Sequence, residues 1–204
     1  MRCLIITPYR PGNLVDLNAD LVLCADTAYR AAAEAGIVPD VIIGDFDHSD
    51  ASCAPADGVK VVRVPSEKDD TDTMLCIKYA IDAGADEIFI AGGIGGRLDH
   101  TVANLQSIAY AEAHGVVAVL TDGKNEARIF TGKIRLPRRD GFYLSAFAYG
   151  GECRGVSERG VKYPIENVTL SPDFPLGVSN EIVADYAEIE VQEGKLLLIF
   201  SEKE

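Results

Sequence analysis

A glycine-rich turn followed by charged side chains is the strongest chemical signal in this chain of 204 residues. Residues 92–96 read Gly-Gly-Ile-Gly-Gly, and residues 97–100 read Arg-Leu-Asp-His. The apolar run before the turn, residues 87–91, is predicted to be a buried strand, and a helix is predicted from Thr101 onward. Glycine allows close backbone approach, a helix N-terminus favours anions, and Arg97 offers a planar fork to phosphate oxygens. The turn therefore predicts a phosphate-binding site.

Two clusters of aspartates precede this turn, each after a strand-like run. Residues 44–47 read Gly-Asp-Phe-Asp, and residues 68–72 read Lys-Asp-Asp-Thr-Asp. In an extended backbone, Asp45 and Asp47 would project to the same side. Asp72 alone could be the N-cap of the next helix, but capping accounts for only one acid.

Together with Asp99, these clusters would bring at least four carboxylates to the carboxyl edge of one sheet. Their mutual repulsion would be costly unless a cation lay between them. Mg²⁺ meets this need because it binds one or two carboxylates together with substrate phosphates. For any single acid a solvated loop or a helix cap is the simpler interpretation, whereas the three clusters together favour a metal and phosphate site.

The elements that must position these residues alternate between short apolar runs and helical patterns. This alternation predicts a parallel sheet covered on both faces, with ligands beyond the carboxyl ends of the strands. The predicted strands cover residues 3–7, 21–25, 41–44, 59–64, 87–91 and 116–121, and the predicted helices cover residues 27–36, 73–84 and 101–115.

After residue 122 the pattern changes to short alternating segments separated by turn residues. These segments predict an antiparallel sandwich or barrel. The predicted strands are residues 127–131, 133–136, 142–148, 187–191 and 195–200, and loops are predicted at residues 149–151 and 171–173. We place the domain boundary near residues 123–125, which divides the chain into domains 1–123 and 124–204.

Composition excludes several classes of protein. The chain has 32 acidic and 19 basic residues and a net charge of −13, which argues against a nucleic-acid partner. Five cysteines without a CxxC pair argue against a disulfide framework or a zinc site and indicate the cytoplasm. We expect no signal peptide and no membrane partner, since no apolar run approaches the length of a membrane span.

At these motifs the chain resembles the thiamine pyrophosphokinase family. The order and spacing of the motifs agree with the family across nearly the whole chain. The matching segments are Pro39-Asp40, residues 44–47, Lys68-Asp69-x-Thr71-Asp72, Gly95-Gly96-Arg97-x-Asp99-His100 with Asn104, residues 160–163 (Gly-Val-Lys-Tyr) and residues 177–180 (Gly-Val-Ser-Asn).

The resemblance implies a fold and a reaction. The fold is an N-terminal parallel α/β nucleotide-binding domain followed by a C-terminal antiparallel β-sandwich that binds thiamine. The reaction transfers diphosphate from ATP to the hydroxyl group of thiamine, with Mg²⁺, and gives thiamine diphosphate and AMP. The resemblance also implies a homodimer whose active sites lie between the subunits.

The resemblance further implies roles for individual residues. The implied magnesium ligands are Asp45, Asp47, Asp69 and Asp72. The implied catalytic residues are Asp72, Asp99 and Arg97. The implied nucleotide-binding residues are Asp26, Gly95, Gly96, Arg97, His100 and Asn104. The implied thiamine-binding residues are Tyr163, Ser179 and Asn180. The chain departs from many relatives in having Asp26-Thr27-Ala28 in place of a glycine-rich turn, and Asp26 could also be a helix cap.

Three other functions are compatible with the same residues. The first is a pyrophosphokinase that acts on another hydroxymethyl heterocycle, such as a pterin, because the phosphate machinery would be the same. The second is a non-catalytic thiamine or nucleotide sensor, although a sensor has no evident need for so many repelling carboxylates. The third is a magnesium-dependent phosphohydrolase, which would need no acceptor alcohol.

Overall fold

The chain forms two compact units. The computed structural model describes residues 1–9, 18–46, 58–67 and 69–204. The first unit is Met1–Gly123 and the second is Lys124–Glu204. Within the described residues, no helix has the length and apolar character needed to cross a membrane.

A parallel sheet forms the centre of the first unit. Its strands are β1 (Arg2–Ile6), β2 (Leu21–Ala25), β3 (Val41–Gly44), β4 (Lys60–Arg63), β5 (Glu87–Ala91) and β6 (Val117–Thr121). The order across the sheet is β6-β5-β1-β2-β3-β4, and every neighbouring pair is parallel. The prediction of a parallel α/β domain is confirmed.

The direction of winding reverses beside β1. From β1 the chain proceeds outward through β2 and β3 to β4, and then continues with β5 on the opposite side of β1. The carboxyl ends of β1 and β5 therefore flank a topological switch point. In open α/β sheets this crevice is where ligands bind.

The helices of this unit are α1 (Tyr29–Glu34), α2 (Asp72–Asp82) and α3 (Leu98–Ala113). A short 3-10 turn, Asp26–Ala28, precedes α1, so Asp26 belongs to that turn and is not its cap. The N-cap of α2 is Thr71, whose hydroxyl accepts a hydrogen bond from the Met74 N–H at 3.2 Å. The alternative in which Asp72 is only a helix cap is therefore wrong.

An antiparallel arrangement of five strands forms the second unit. The strands are β7 (Asn125–Pro137), β8 (Phe142–Arg159), β9 (Ile165–Leu170), β10 (Gly177–Asn180) and β11 (Tyr186–Glu202). The order is β10-β8-β11-β7, and β9 pairs with the second half of β8.

Three of these strands are long because they bend and contribute to both layers of a sandwich. The pairing of β11 with β7 shifts register between Val191 and Leu196, and its pairing with β8 shifts between Glu193 and Lys195. Apolar residues from both halves, including Leu198 and Ile189, share one buried core. The loop predicted at residues 149–151 is wrong, because these residues continue β8.

The described cysteines are buried and free. Cys3, Cys24, Cys76 and Cys153 form no disulfide, and Cys53 lies outside the described residues. Burial raises the pKa of Cys3 and of Cys24 to about 12. These thiols therefore stay protonated at neutral pH and pack as small apolar groups.

Candidate active site

The glycine turn after β5 has a backbone that only glycine adopts readily. Gly92, Gly93, Gly95 and Gly96 have φ angles of +92°, +80°, +85° and +64°. Side chains would also collide there. A Cβ at Gly93 would lie 2.3 Å from the Nδ2 atom of Asn104, and a Cβ at Gly96 would lie 2.8 Å from Cζ of Tyr9. Gly93 and Gly96 are thus required by tight packing as well as by the shape of the turn.

Hydrogen bonds hold this turn in place. Asn104, which is buried on α3, donates from Nδ2 to the Gly93 carbonyl at 2.9 Å, and the Gly93 N–H donates to the Tyr9 carbonyl at 2.8 Å. Thr101 Oγ1 accepts from the Gly95 N–H at 3.1 Å and lies 3.2 Å from the Gly95 carbonyl. The amide of Asn104 therefore supports the turn.

A pocket of about 290 Å³ lies beside the turn, at the switch point of the sheet. Its size lies at the lower end of the range of about 300–1,000 Å³ typical of small-molecule sites. The residues that line it come from the segment after β1, the first turn of α2, the glycine turn and α3. They include Thr7, Tyr9, Thr73, Gly95, Arg97, His100 and Asn104. The structure thus brings the second acidic segment, through Thr73, next to the glycine turn.

Arg97 and Asp99 form an ion pair with each other at the start of α3. The Nη2 atom of Arg97 lies 2.7 Å from Asp99 Oδ2, and Nε lies 3.2 Å from Oδ1. The hydrogen bond from Arg97 lowers the pKa of Asp99 below its usual value. Both side chains are exposed, by 74% and 64%, so the pair is screened and weak. An anionic ligand can therefore compete with Asp99 for the guanidinium group.

Asp26 and Asp45 follow the adjacent strands β2 and β3. A Cβ at Gly44 would lie 2.7 Å from Cα of Asp26, so Gly44 allows the two strand ends to touch. Asp26 has a φ of +46°, and its Oδ1 atom is buried without a hydrogen-bond partner among the described residues. Phe46 has a φ of +59°. The extended backbone predicted through this segment is therefore wrong, and Asp47 lies outside the described residues.

Several other aspartates have structural partners. Asp40 accepts a hydrogen bond from the Val22 N–H at 2.7 Å and so joins β2 to the start of β3. Asp70 accepts from Lys78 at 2.7 and 2.9 Å, and this bond raises the pKa of the lysine. These contacts account for part of the acidic excess without a ligand.

The remaining acids have the right chemistry for a hard cation, but the described part of the chain does not form a closed metal site. Asp69 is exposed between β4 and α2, and Asp72 is the half-buried first residue of α2. With residues 10–17, 47–57 and 68 set aside, no three His, Cys, Asp or Glu residues gather closely enough to hold a metal ion. The carboxylate oxygens that follow β2, β3 and β4 are nevertheless the type of ligand that Mg²⁺ prefers.

A second pocket, of about 190 Å³, lies within the second unit. Most of its lining is apolar, and Leu176 and Val178 contribute to it. Tyr163, which is 61% exposed, lines the pocket together with two buried polar residues, Asn180 and Glu158. An aromatic face, apolar walls and few polar groups are typical of a site for a small organic ligand.

Two glycines of the predicted thiamine segments are explained by close backbone contacts. A Cβ at Gly160 would lie 2.3 Å from the Tyr186 carbonyl oxygen, and one at Gly177 would lie 2.3 Å from the Ala146 carbonyl oxygen. These glycines let both segments lie flat against neighbouring strands.

The Asn180 amide joins the same two segments. Its Oδ1 atom accepts from the backbone N–H groups of Tyr163 and Glu181, at 3.0 and 2.9 Å. Its Nδ2 atom donates to the Tyr163 carbonyl and to Glu158 Oε2, both at 3.0 Å. Ser179 is exposed with a φ of +59°, at a bulge where β10 shifts register against β8. Asn180 therefore holds Tyr163 in position.

The sequence patterns did not predict Tyr9, Thr7 or Thr73 as pocket residues, and they did not predict Glu158 as one. Tyr9 becomes recognisable as a pocket residue only in the structure, where its ring packs against Gly96. For Glu158 a signal was available, because period-2 alternation places it on the same face of β8 as the buried Val156. An acid at an inward position of a strand calls for a specific partner.

The fold and the two pockets define a class of protein: a doubly wound α/β unit with a ligand crevice at its switch point, followed by a β-sandwich with a pocket of its own. The family profile described as the thiamin pyrophosphokinase catalytic domain matches residues 14–120, and the one described as the vitamin B1 binding domain matches residues 131–196. The chain belongs to the thiamin pyrophosphokinase family.

Similar proteins agree with this assignment. A thiamine pyrophosphokinase of Bacillus subtilis is 28% identical over 98% of this chain and 99% of its own length. A thiamin pyrophosphokinase of Caenorhabditis elegans is 27% identical over 71% of this chain and 63% of its own. The crystal structure of the Bacillus subtilis protein has a TM-score of 0.90 with 24% identity, covering 99% of both chains. The yeast thiamin pyrophosphokinase structure has a TM-score of 0.77 with 16% identity, covering 98% of this chain and 86% of the yeast chain.

Proposed function

We propose that this chain transfers diphosphate from ATP to the hydroxyl group of thiamine, giving thiamine diphosphate and AMP. One observation carries the proposal: the glycine turn lies at the switch point, in the unit that matches the family's catalytic domain. The separate aromatic-lined pocket of the second unit supports it, because that unit matches the vitamin B1 binding domain.

The first unit would bind ATP through the glycine turn and the start of α3. The Gly96 N–H group, the N-terminus of α3 and the Arg97 guanidinium would hold phosphate oxygens, and Gly95 would shape the turn that presents them. His100 lines the same pocket and Asn104 keeps the turn rigid. Asp26, at the end of β2, is assigned to the nucleotide as well.

The same edge of the sheet would hold Mg²⁺. Asp45, Asp47, Asp69 and Asp72 are the residues we assign to the ion, since all four follow strands that end at this edge. When bound, the ion neutralises charge on the triphosphate. Asp99 would orient Arg97, and a phosphate oxygen of ATP would then replace Asp99 as the partner of the guanidinium group.

The second unit would bind thiamine. The cationic ring system suits the exposed face of Tyr163, and the apolar walls exclude water around it. Ser179 lies at the bulge beside the pocket, and Asn180 holds the Tyr163 backbone. These residues would position the hydroxyl group.

The chemistry would depend on positioning and charge neutralisation. The hydroxyl oxygen attacks the β-phosphorus of ATP, the bond from that phosphorus to the bridging α-oxygen breaks, and AMP leaves. No protein nucleophile is needed, so catalysis rests on alignment and on stabilising the transferred charge. This agrees with a site built from a rigid turn, an arginine and aspartates.

We also propose that the protein acts in the cytoplasm as a homodimer with active sites between subunits. The free, buried cysteines support a reducing compartment. The family resemblance supports the homodimer, because it implies active sites between two subunits.

Measurement of AMP release tests the proposal against its alternatives. With ATP and Mg²⁺, we expect AMP to form in the presence of thiamine and not with a hydroxymethyl pterin. AMP formed with the pterin alone would show a different acceptor. Thiamine binding by calorimetry without any AMP would indicate a sensor, and phosphate or diphosphate released without an acceptor would indicate a phosphohydrolase.

A further inference from the structure

Glu158 presents a buried acceptor to the pocket of the second unit. Its side chain is only 2% exposed, and it lines the pocket together with Tyr163. The Oε2 atom accepts a hydrogen bond from Asn180, whereas the Oε1 atom is buried with no hydrogen-bond partner among the described residues. A buried polar atom left in this state is costly unless a ligand satisfies it.

No cation of the described chain neutralises this carboxylate. The nearby Lys162 pairs instead with Glu181, at 3.0 Å, and lies over the Tyr163 ring. Burial raises the pKa of Glu158, and the hydrogen bond from Asn180 opposes that shift. A positively charged or N–H donating ligand would therefore stabilise the ionised form.

The orientation of the open acceptor is fixed by Asn180. The amide of Asn180 cannot rotate by 180°, because Oδ1 already accepts from two backbone N–H groups and Nδ2 already donates to the Tyr163 carbonyl. It therefore always presents a donor to Oε2, which leaves Oε1 as the Glu158 oxygen without a partner among the described residues. This is a fixed site for one N–H donor.

We propose that Glu158 is a specificity-determining residue that accepts a hydrogen bond from the amino group of a cationic aminopyrimidine ligand. The proposal rests on the proposed function, in which that ligand is thiamine. The pocket's walls contact the rings without distinguishing their substituents, and Glu158 selects the ring that carries an N–H donor.

The test replaces the hydrogen-bond acceptor at position 158 by a donor. In Glu158→Gln the new amide must turn its oxygen to Asn180, because Asn180 offers only a donor, and its NH₂ group then replaces Oε1. This NH₂ donor would face the amino group of thiamine, which is also a donor. In oxythiamine a carbonyl oxygen replaces that amino group and can accept the hydrogen bond. We expect the ratio of kcat/KM for thiamine over oxythiamine to fall about tenfold or more. The KM for ATP should stay unchanged.

The matched control is Glu166→Gln, an exposed glutamate on β9 that does not line the pocket. This variant should keep the wild-type ratio of kcat/KM for thiamine over oxythiamine. If folded Glu158→Gln also keeps that ratio, the proposal is overturned. If Glu158 had only a structural role, the substitution would lower kcat/KM for thiamine and for oxythiamine alike and leave the ratio of the two unchanged.

Calorimetry separates this inference from the proposed function. If wild-type protein forms no AMP with thiamine, the proposed function fails, but the binding of thiamine and oxythiamine can still be compared. Wild-type protein should bind thiamine about tenfold or more tightly than oxythiamine. Equal binding of the two by the wild type would overturn the proposal even if Glu158→Gln does not fold.

Discussion

Asp72→Asn is expected to reduce turnover by about a hundredfold while leaving the protein folded. Asp72 is the first residue of α2, directly before Thr73 of the switch-point pocket. In the proposed site, loss of a carboxylate assigned to Mg²⁺ would remove charge neutralisation at the phosphates, and changes at metal sites typically reduce metal affinity or activity by about 10–100-fold or more. Steady-state AMP formation at saturating thiamine measures this loss.

The same substitution should lower the melting temperature by only a few degrees. Thr71, and not Asp72, caps the helix, so the hydrogen bond to Met74 remains. Asn in the first turn loses the favourable interaction of a charge with the helix dipole, about 0.3–1 kcal/mol. For a chain of this size that corresponds to about 1–4 °C.

Asp70→Asn is the matched control, two residues away in the same segment. Asp70 is engaged by Lys78 and has no role in the proposed site. This variant should keep nearly full turnover. Normal turnover in Asp72→Asn, or an equal loss in both variants, would show that Asp72 is not a metal ligand.

Tyr163→Ala is expected to raise the KM for thiamine by about tenfold to a hundredfold, with a much smaller effect on the KM for ATP. The ring is exposed and lines the second-unit pocket, so its loss removes the aromatic face offered to the cationic ligand. ATP would bind in the first unit, at the glycine turn. Varying each substrate in turn separates the two effects.

Tyr186→Ala provides the control for removing a tyrosine from the same unit. The Tyr186 ring is partly exposed and contacts the Arg135 guanidinium, and it is not part of the pocket lining. We expect both KM values to stay near those of the wild type. An equal rise in both KM values for Tyr163→Ala would contradict the proposed division of the two substrates between the units.

The sequence predicted the first unit well because its strands are short apolar runs bounded by turn residues. Strands β2, β3 and β5 have the predicted bounds, and the others differ by one residue at one or both ends. The start of α3 was predicted three residues late, because nothing in Leu98-Asp99-His100 distinguishes a helical turn from the end of the glycine loop.

The second unit was harder to predict because its strands bend. Glycines such as Gly150 and Gly194, with φ of +74° and +97°, suggest turns in the sequence, but here they lie within the continuous strands β8 and β11. β9 and β10 were missed, since both are largely exposed and lack a clear alternating apolar pattern.

The candidate site was predictable where residues close together in the sequence form the chemical motif. The glycine turn and Arg97 line the switch-point pocket, and Tyr163 and Asn180 line the second. Contacts that depend on distant segments were not predictable. The contact of the Tyr9 ring with Gly96, for example, is set by tertiary packing.

The central claim is that a diphosphoryl group moves as one unit from ATP to thiamine. Incubation with Mg²⁺, thiamine and ATP labelled separately at the α-, β- or γ-phosphorus tests it most directly. We expect the β and γ labels both to appear in thiamine diphosphate and the α label to stay in AMP. Recovery of the γ label alone in the thiamine product, or of β and γ labels only as free phosphate or diphosphate, would contradict it.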